Sequence, residues 1–466
     1  MHKFFYIFIV VLLIVSSCTL EDDSTPQGNI KVAEAKELLP SAIQQVAFNH
    51  SAIGARTTAS IMQYIKGGDS KPLSTENYLF SNAYFEGLWT DGYYTGSLIL
   101  LNELLSLSDD NESLKAISLI LLAHEYTHLT FYFGDIPMQE ALQGDEFSEP
   151  TYDTQTDVLS KIIAQLDEAI ELIGDRSVDE NLVEEDLLFQ GSLTRWKKFA
   201  YGLKARVLYN QGIGDSDQQA LLLNSLDNSF LSHTAQADFT FDKGVDNPQY
   251  AFEIERPSTF STGIFYQNLL EQNQDPRRSQ VTIEGVFEPW DYFINDVFVS
   301  KWFDRNATIP LLSFTELQFM RVELLLAQGA SINAIQTSLA VAIEASLLEY
   351  DLQIDTSPEI INFIASQSNL SGLTSEEILN RIMEQAYVAY YGYNYLQAWN
   401  NYRRTGYPAI ESTANDATIY LNNPSNSVPQ RFLYPSSERE LNMINVESAI
   451  TRQNGALLDE PLPVFE

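Results

Sequence analysis

The chain has 466 residues, 45% of them hydrophobic, with 63 acidic against 27 basic side chains and a formal net charge of −36 at neutral pH. Such a surface repels nucleic acid and anionic lipid, which excludes both as partners, while the apolar content suffices for a large core. One cysteine excludes an internal disulfide.

Residues 1–17, "MHKFFYIFIVVLLIVSS", open with Lys3 and run apolar from Phe4 to Val15. That is the form of a secretory signal peptide, too short to span a membrane comfortably. It ends Val15-Ser16-Ser17-Cys18, an aliphatic residue and two small ones before the only cysteine. This resembles the lipobox of bacterial lipoproteins, and the resemblance implies that Cys18 is the lipidation site and first residue of the mature chain. Residues 18–30 then read as a lipidated acidic tether, with Glu21, Asp22 and Asp23 resembling a surface-export signal. No Gly/Ser-rich or Pro-rich linker follows, so residues 31–466 are expected to form one large domain.

Apolar spacing predicts helices over 32–50, 77–107, 112–133, 154–173, 192–211, 216–226, 313–328, 331–350, 357–367, 374–402 and 436–449. Thr374 with Glu377 spells a capping box, and Gly329 closes another helix. The stretch 227–312 reads as irregular, rich in Asp, Asn, Pro and aromatic residues, with a hairpin near 281–303. The expected fold class is mainly α, a tetratricopeptide-like helical-repeat scaffold with a large irregular loop region and a few short strands. A regular 34-residue sequence period is absent, so pairing of helices rather than repetition carries that reading.

One motif points elsewhere. His124-Glu125-Tyr126-Thr127-His128 spells the zinc metalloprotease helix, in which two histidines four apart bind one metal and the glutamate acts as base. The position six residues past the second histidine, where a third ligand commonly stands, is Gly134. His2, His50 and His233 are remote in sequence, and Glu146 and Glu149 sit in a loop before Pro150. The helix is apolar all round, which reads as core. No metal, cofactor or catalytic set is therefore expected, and zinc hydrolysis by His124, Glu125 and His128 stays as the alternative. No EF-hand spacing supports calcium.

Several blocks resemble the SusD/RagB family of nutrient-binding outer-membrane lipoproteins, particularly its second, SusD-like subfamily. They are Phe133-Gly134-Asp135-Ile136-Pro137 with Glu140-Ala141, then Leu166-Asp167-Glu168-Ala169. The helix with Trp196, Lys198, Phe199, Ala200, Leu203 and Arg206 follows, then Asp275-Pro276-Arg277. Glu316, Phe319 and Glu323 follow, with Val322 where the family has alanine. "WNNYRRTGYP" and the set Arg431, Tyr434, Pro435, Glu438 and Asn442 complete the series in the family's order.

The resemblance implies a non-enzymatic lipoprotein on the outer membrane, facing the exterior. It would bind a glycan, or in some relatives a peptide, and deliver it to a SusC-like TonB-dependent transporter. Arg403, Arg404 and Arg431 are expected to pair with structural acids such as Glu438 or with helix C-terminal carbonyls. Trp196, Trp399 and Phe319 are expected in the core. Sugars stack on exposed aromatic rings, so Trp89 and Tyr93 beside Tyr94, Trp290 and Tyr292 in "FEPWDYF", and Trp302 are the candidate ligand contacts.

Overall fold

The structure, a computed structural model, describes residues 35–67, 74–242, 244–257, 259–282, 293–294, 297–298, 300–354, 357–414 and 420–466. The expected signal peptide, Cys18 and the acidic tether lie outside the described residues. So do Trp290 and Tyr292.

Helices dominate. α1 (Leu39–Ser51) and α2 (Ile53–Ile61) open the chain, followed by a π-helical stretch over Leu88–Leu98 that runs into α3 (Ile99–Ser106). α4 (Glu112–Phe133), α5 (Gln155–Ile173), α6 (Leu193–Asn210) and α7 (Ser216–Asn228) pack each on the next. Two short helices, α8 (Pro248–Glu255) and α9 (Ile264–Gln272), cross the region read as irregular. α10 (Phe314–Ala327), α11 (Ile332–Glu349), α12 (Pro358–Ser368), α13 (Ser375–Ala389) and α14 (Tyr395–Thr405) complete the scaffold, and α15 (Ser436–Leu441) and α16 (Met443–Arg452) finish it. Among the described residues no helix is long and apolar enough to cross a membrane.

Strands are short and antiparallel. β1 (Ile65–Gly67) pairs with β3 (Phe260–Thr262), and β2 (Ala237–Thr240) with β6 (Thr308–Leu312). β4 (Phe293–Ile294) pairs with β5 (Val297–Phe298), inside the span where a hairpin was expected. The mainly α architecture of the sequence reading therefore stands.

α4 is the axis of the core. Nearly every residue from Ser113 to Phe133 is buried, matching its apolar sequence on all sides. Asn111 caps its start, accepting from the Leu114 amide at 3.0 Å. Its other end leaves carbonyls buried away from water, where an unmet acceptor is costly. Arg403 donates to the Phe131 carbonyl at 2.8 Å and Arg431 to that of Phe133 at 2.6 Å. The Phe432 amide meets the Tyr132 carbonyl at 2.8 Å. Cationic donors at a helix C-terminus also oppose its dipole favourably.

The other motif residues are ties of the same kind. Arg206 of α6 holds Glu316 of α10 through bonds of 2.7 and 2.8 Å, and Asn394 donates to the same carboxylate. Arg404 clamps Glu323 at 2.5 and 2.7 Å. Among the described residues Glu438 takes no arginine; it accepts from the Tyr152 hydroxyl at 2.6 Å, a departure from the expected pairing. Trp196 and Trp399 are fully buried, their indole N–H groups donating to Asp186 and the Pro429 carbonyl. Phe319 is in the core as well.

Candidate ligand-binding site

Three of the proposed ligand aromatics are interior. Trp89 is 2% exposed, set among Tyr94, Phe133, Tyr152 and Tyr434. Tyr93 is 0% exposed. The π-helical winding of Leu88–Leu98 turns both inward, where an open loop would leave them facing water. Trp302 is 2% exposed, packed against Tyr350 and Tyr393 with Lys301 Nζ 4.7 Å from its ring centroid. A sugar needs a free ring face, so these three residues are scaffold and not ligand contacts in this conformation.

A polar cleft lies elsewhere among the described residues, about 740 Å³ in volume, between the turn after α9 and the start of α12. Its size suits a small ligand. The turn is fixed from beneath by Arg277, fully buried, which grips Asp275 at 2.9 and 2.6 Å and reaches Ser346 and Gln385 at 2.8 Å each. Burial alone would lower the Arg277 pKa, but the Asp275 carboxylate beside it holds it above its ordinary value. The Asp-Pro-Arg motif thus positions the wall and leaves its outer residues to face the cleft. Those are Gln274, Arg278, Ser279 and Thr282, opposite Ser357 and Glu359, with Leu352 and Ile360 as apolar floor. Amide, guanidinium, hydroxyl and carboxylate groups over an aliphatic floor can bond a ring of hydroxyls while covering C–H faces. Sequence reading missed these residues because none is aromatic; Asp275-Pro276-Arg277 was the signal that a fixed turn stood there.

The metalloprotease-like motif is sealed. His124 and Glu125 are 0% exposed and His128 is 4%. A hydrolytic zinc site needs a coordination position that substrate can reach, and none of these side chains faces solvent. His50, remote in sequence, is not remote in space: its ring centroid lies 5.6 Å from that of His124 and 5.4 Å from that of His128. Burial, reinforced by the neighbouring charges, pushes all three imidazoles well below the ordinary histidine pKa; the Tyr393 main chain acts the other way at His50, and Glu125 and the His124 main chain do so at His128. Burial raises Glu125 to about 7, opposed by His128, Ser97 and Asn49.

The class of protein is set by these features: a tetratricopeptide-like helical scaffold that carries a loop-built, solvent-open polar cleft. The chain belongs to the second SusD-like family, described as "Starch-binding associating with outer membrane", whose profile matches residues 27–435. No curated protein matches it. Among solved structures it is similar to a SusD/RagB family protein from Bacteroides thetaiotaomicron, with TM-score 0.74 and 21% identity over 92% of this chain and 98% of that one. A SusD homolog from Bacteroides fragilis gives 0.72 and 21%, over 92% and 99%. A chitin-binding SusD homolog from Flavobacterium johnsoniae gives 0.73 and 17%, over 92% and 98%. At these identities the likeness is one of fold.

Proposed function

We propose that this protein is a lipid-anchored outer-membrane surface protein that captures a glycan and passes it to a SusC-like TonB-dependent transporter. Family membership across 27–435 is the observation that carries this reading. Capture needs only binding: the scaffold holds the cleft, and the cleft offers hydrogen-bonding groups over an aliphatic floor. Cys18 would carry the lipid, with more than one acyl chain giving the stable anchoring that a single chain does not. The acidic surface keeps such an exposed protein soluble beside an anionic envelope. The chitin bound by the Flavobacterium johnsoniae relative favours a glycan as cargo.

Arg278 and Glu359 would orient sugar hydroxyls in the cleft. Trp290 and Tyr292, which follow Thr282 in the chain, would supply the stacking rings. Native gels cast with soluble polysaccharides test this. Retardation by one polysaccharide, weakened at least tenfold in Glu359→Ala and in Trp290→Ala, is the expected result. Equal retardation of the wild type and both variants would place the ligand elsewhere. Transporter partnership is tested separately, by recovery of a TonB-dependent barrel with the detergent-solubilised lipoprotein.

A further inference from the structure

His50 stands in the last turn of α1, while His124 and His128 stand one turn apart on α4. One nitrogen from each ring comes within 4.8 Å of the other two, and all three residues are buried. Their remaining hydrogen bonds decide which nitrogens are bare. His128 Nδ1 lies 2.9 Å from the main-chain oxygen of His124, which can only accept, so this nitrogen carries the proton. His124 Nδ1 lies 3.1 Å from Glu125 Oε1 and donates to it when that carboxyl is ionised, the form a cation on the histidines would favour. Both rings therefore present Nε2 as a lone pair, the form that binds metal, with a carbonyl or carboxylate behind the opposite nitrogen. His124 Nε2 is buried without a hydrogen-bond partner, and neither ring nitrogen of His50 makes a well-formed bond, the Tyr393 main chain being its polar neighbour. Unmet buried nitrogens are costly, and one each from His50 and His124, gathered with a nitrogen of His128, need an account.

We propose that His50, His124 and His128 bind one divalent transition-metal ion of the zinc class, a structural site tying the end of α1 to the middle of α4. Three imidazoles are a fitting donor set for such an ion. Zinc–nitrogen bonds of about 2.1 Å place ligand atoms roughly 3.4 Å apart, so the rings close onto an ion by side-chain movements of about 1 Å. A cavity of about 10 Å³ next to His128, also lined by Arg206, Asn394, Gln397 and Asn400, has room for about one water as a fourth ligand. Arg206 opposes a cation here, but Glu316 holds it in a bidentate pair. Glu125, buried and bonded to Asn49 at 2.7 Å, has no arginine or lysine partner among the described residues, and a cation on the histidines would supply its counter-charge. The site is closed to substrate, so the metal would hold two helices together without hydrolysing anything.

Because the cluster is buried, metal must enter as the chain folds. The full chain in detergent is stripped with chelator in guanidinium and refolded with or without Co²⁺ or Zn²⁺. The expected result is one equivalent retained through gel filtration, the visible bands of tetrahedral cobalt, and a melting temperature several degrees above that of metal-free protein. His50→Gln and His124→Gln should lose both the bands and the thermal gain while keeping the helical circular dichroism. Metal held equally by wild type and both variants would mark an adventitious ion only and overturn the site, as would wild type that refolds without retaining metal. If the variants fail to fold, the wild-type cobalt spectrum decides: imidazole-ligated tetrahedral bands support the site and their absence rejects it. Glycan retardation is read on the same samples, and its presence or loss leaves the metal result standing by itself.

Discussion

Arg206 and Glu316 show what a family motif residue does here at the scale of one side chain. The pair is nearly inaccessible, at 6% and 0% side-chain exposure, and it joins two helices more than a hundred residues apart in sequence. Arg206→Met leaves a buried carboxylate whose one other side-chain partner among the described residues is Asn394, and removal of one member of a buried pair costs about 3–5 kcal/mol. Urea unfolding should show that loss, and Arg206→Met with Glu316→Met should recover most of it, since a matched apolar pair carries no stranded charge. A second residue-scale prediction concerns pH. Burial and the charge of Glu349 push Asp238 up to about 6, and His233 is raised by Glu349, whose Oε2 lies 3.2 Å from its Nε2. Both folded values lie above the unfolded ones, so the stability they contribute is complete below about pH 4 and is lost as the groups deprotonate. Urea midpoints should fall as pH rises from about 4 through 6, and Asp238→Asn should flatten that fall. An unchanged slope would contradict the assignment. Arginines seeking helix-end carbonyls were legible in sequence at Arg403 and Arg431. Their addresses were not, because Phe131 and Phe133 lie some 270 and 300 residues away in the chain.

At the scale of elements, α4 to α7 and α10 to α12 fall within two residues of their sequence-predicted bounds, because apolar spacing and caps agree there. Where the reading failed, tertiary contacts had overruled local pattern. The span 374–402 reads as one helix but breaks into α13 and α14 around Gly392, whose φ is +95°. A Cβ at Gly392 would lie 2.3 Å from the Trp302 ring, so the same contact buries the tryptophan and requires the glycine. Gly392→Ala combines left-handed strain with overpacking and should cost about 3 kcal/mol in thermal or urea unfolding. Gly134, at φ +86° and ψ −115°, ends α4 where a Cβ would strike the Gln453 amide, so the Gly-Asp-Ile-Pro block is a helix stop built for one residue type. α2 went unread because Gly, Thr and Ser fill it and its helicity rests on packing against α14. α8 has a local sequence signal, Asn247 as cap followed by Pro248, inside a stretch whose composition reads as irregular.

For the molecule as a whole, the order of motif blocks revealed the scaffold and its family, since those residues tie helices together. The ligand site was less legible. Aromatic residues serve both cores and sugar platforms, and Trp89, Tyr93 and Trp302 turned out to serve the core. The polar cleft is assembled from two segments some eighty residues apart that only the fold brings together. The central claim is capture of a glycan, and titration calorimetry tests it most directly. Soluble protein starting at Thr19 is titrated with a panel of polysaccharides, their oligosaccharides and mixed peptides. The account predicts saturable binding to one glycan class, weakened at least tenfold, about 1.4 kcal/mol, by Glu359→Ala or Trp290→Ala with the melting temperature unchanged. Heat from peptides alone, or silence across every glycan, would contradict it.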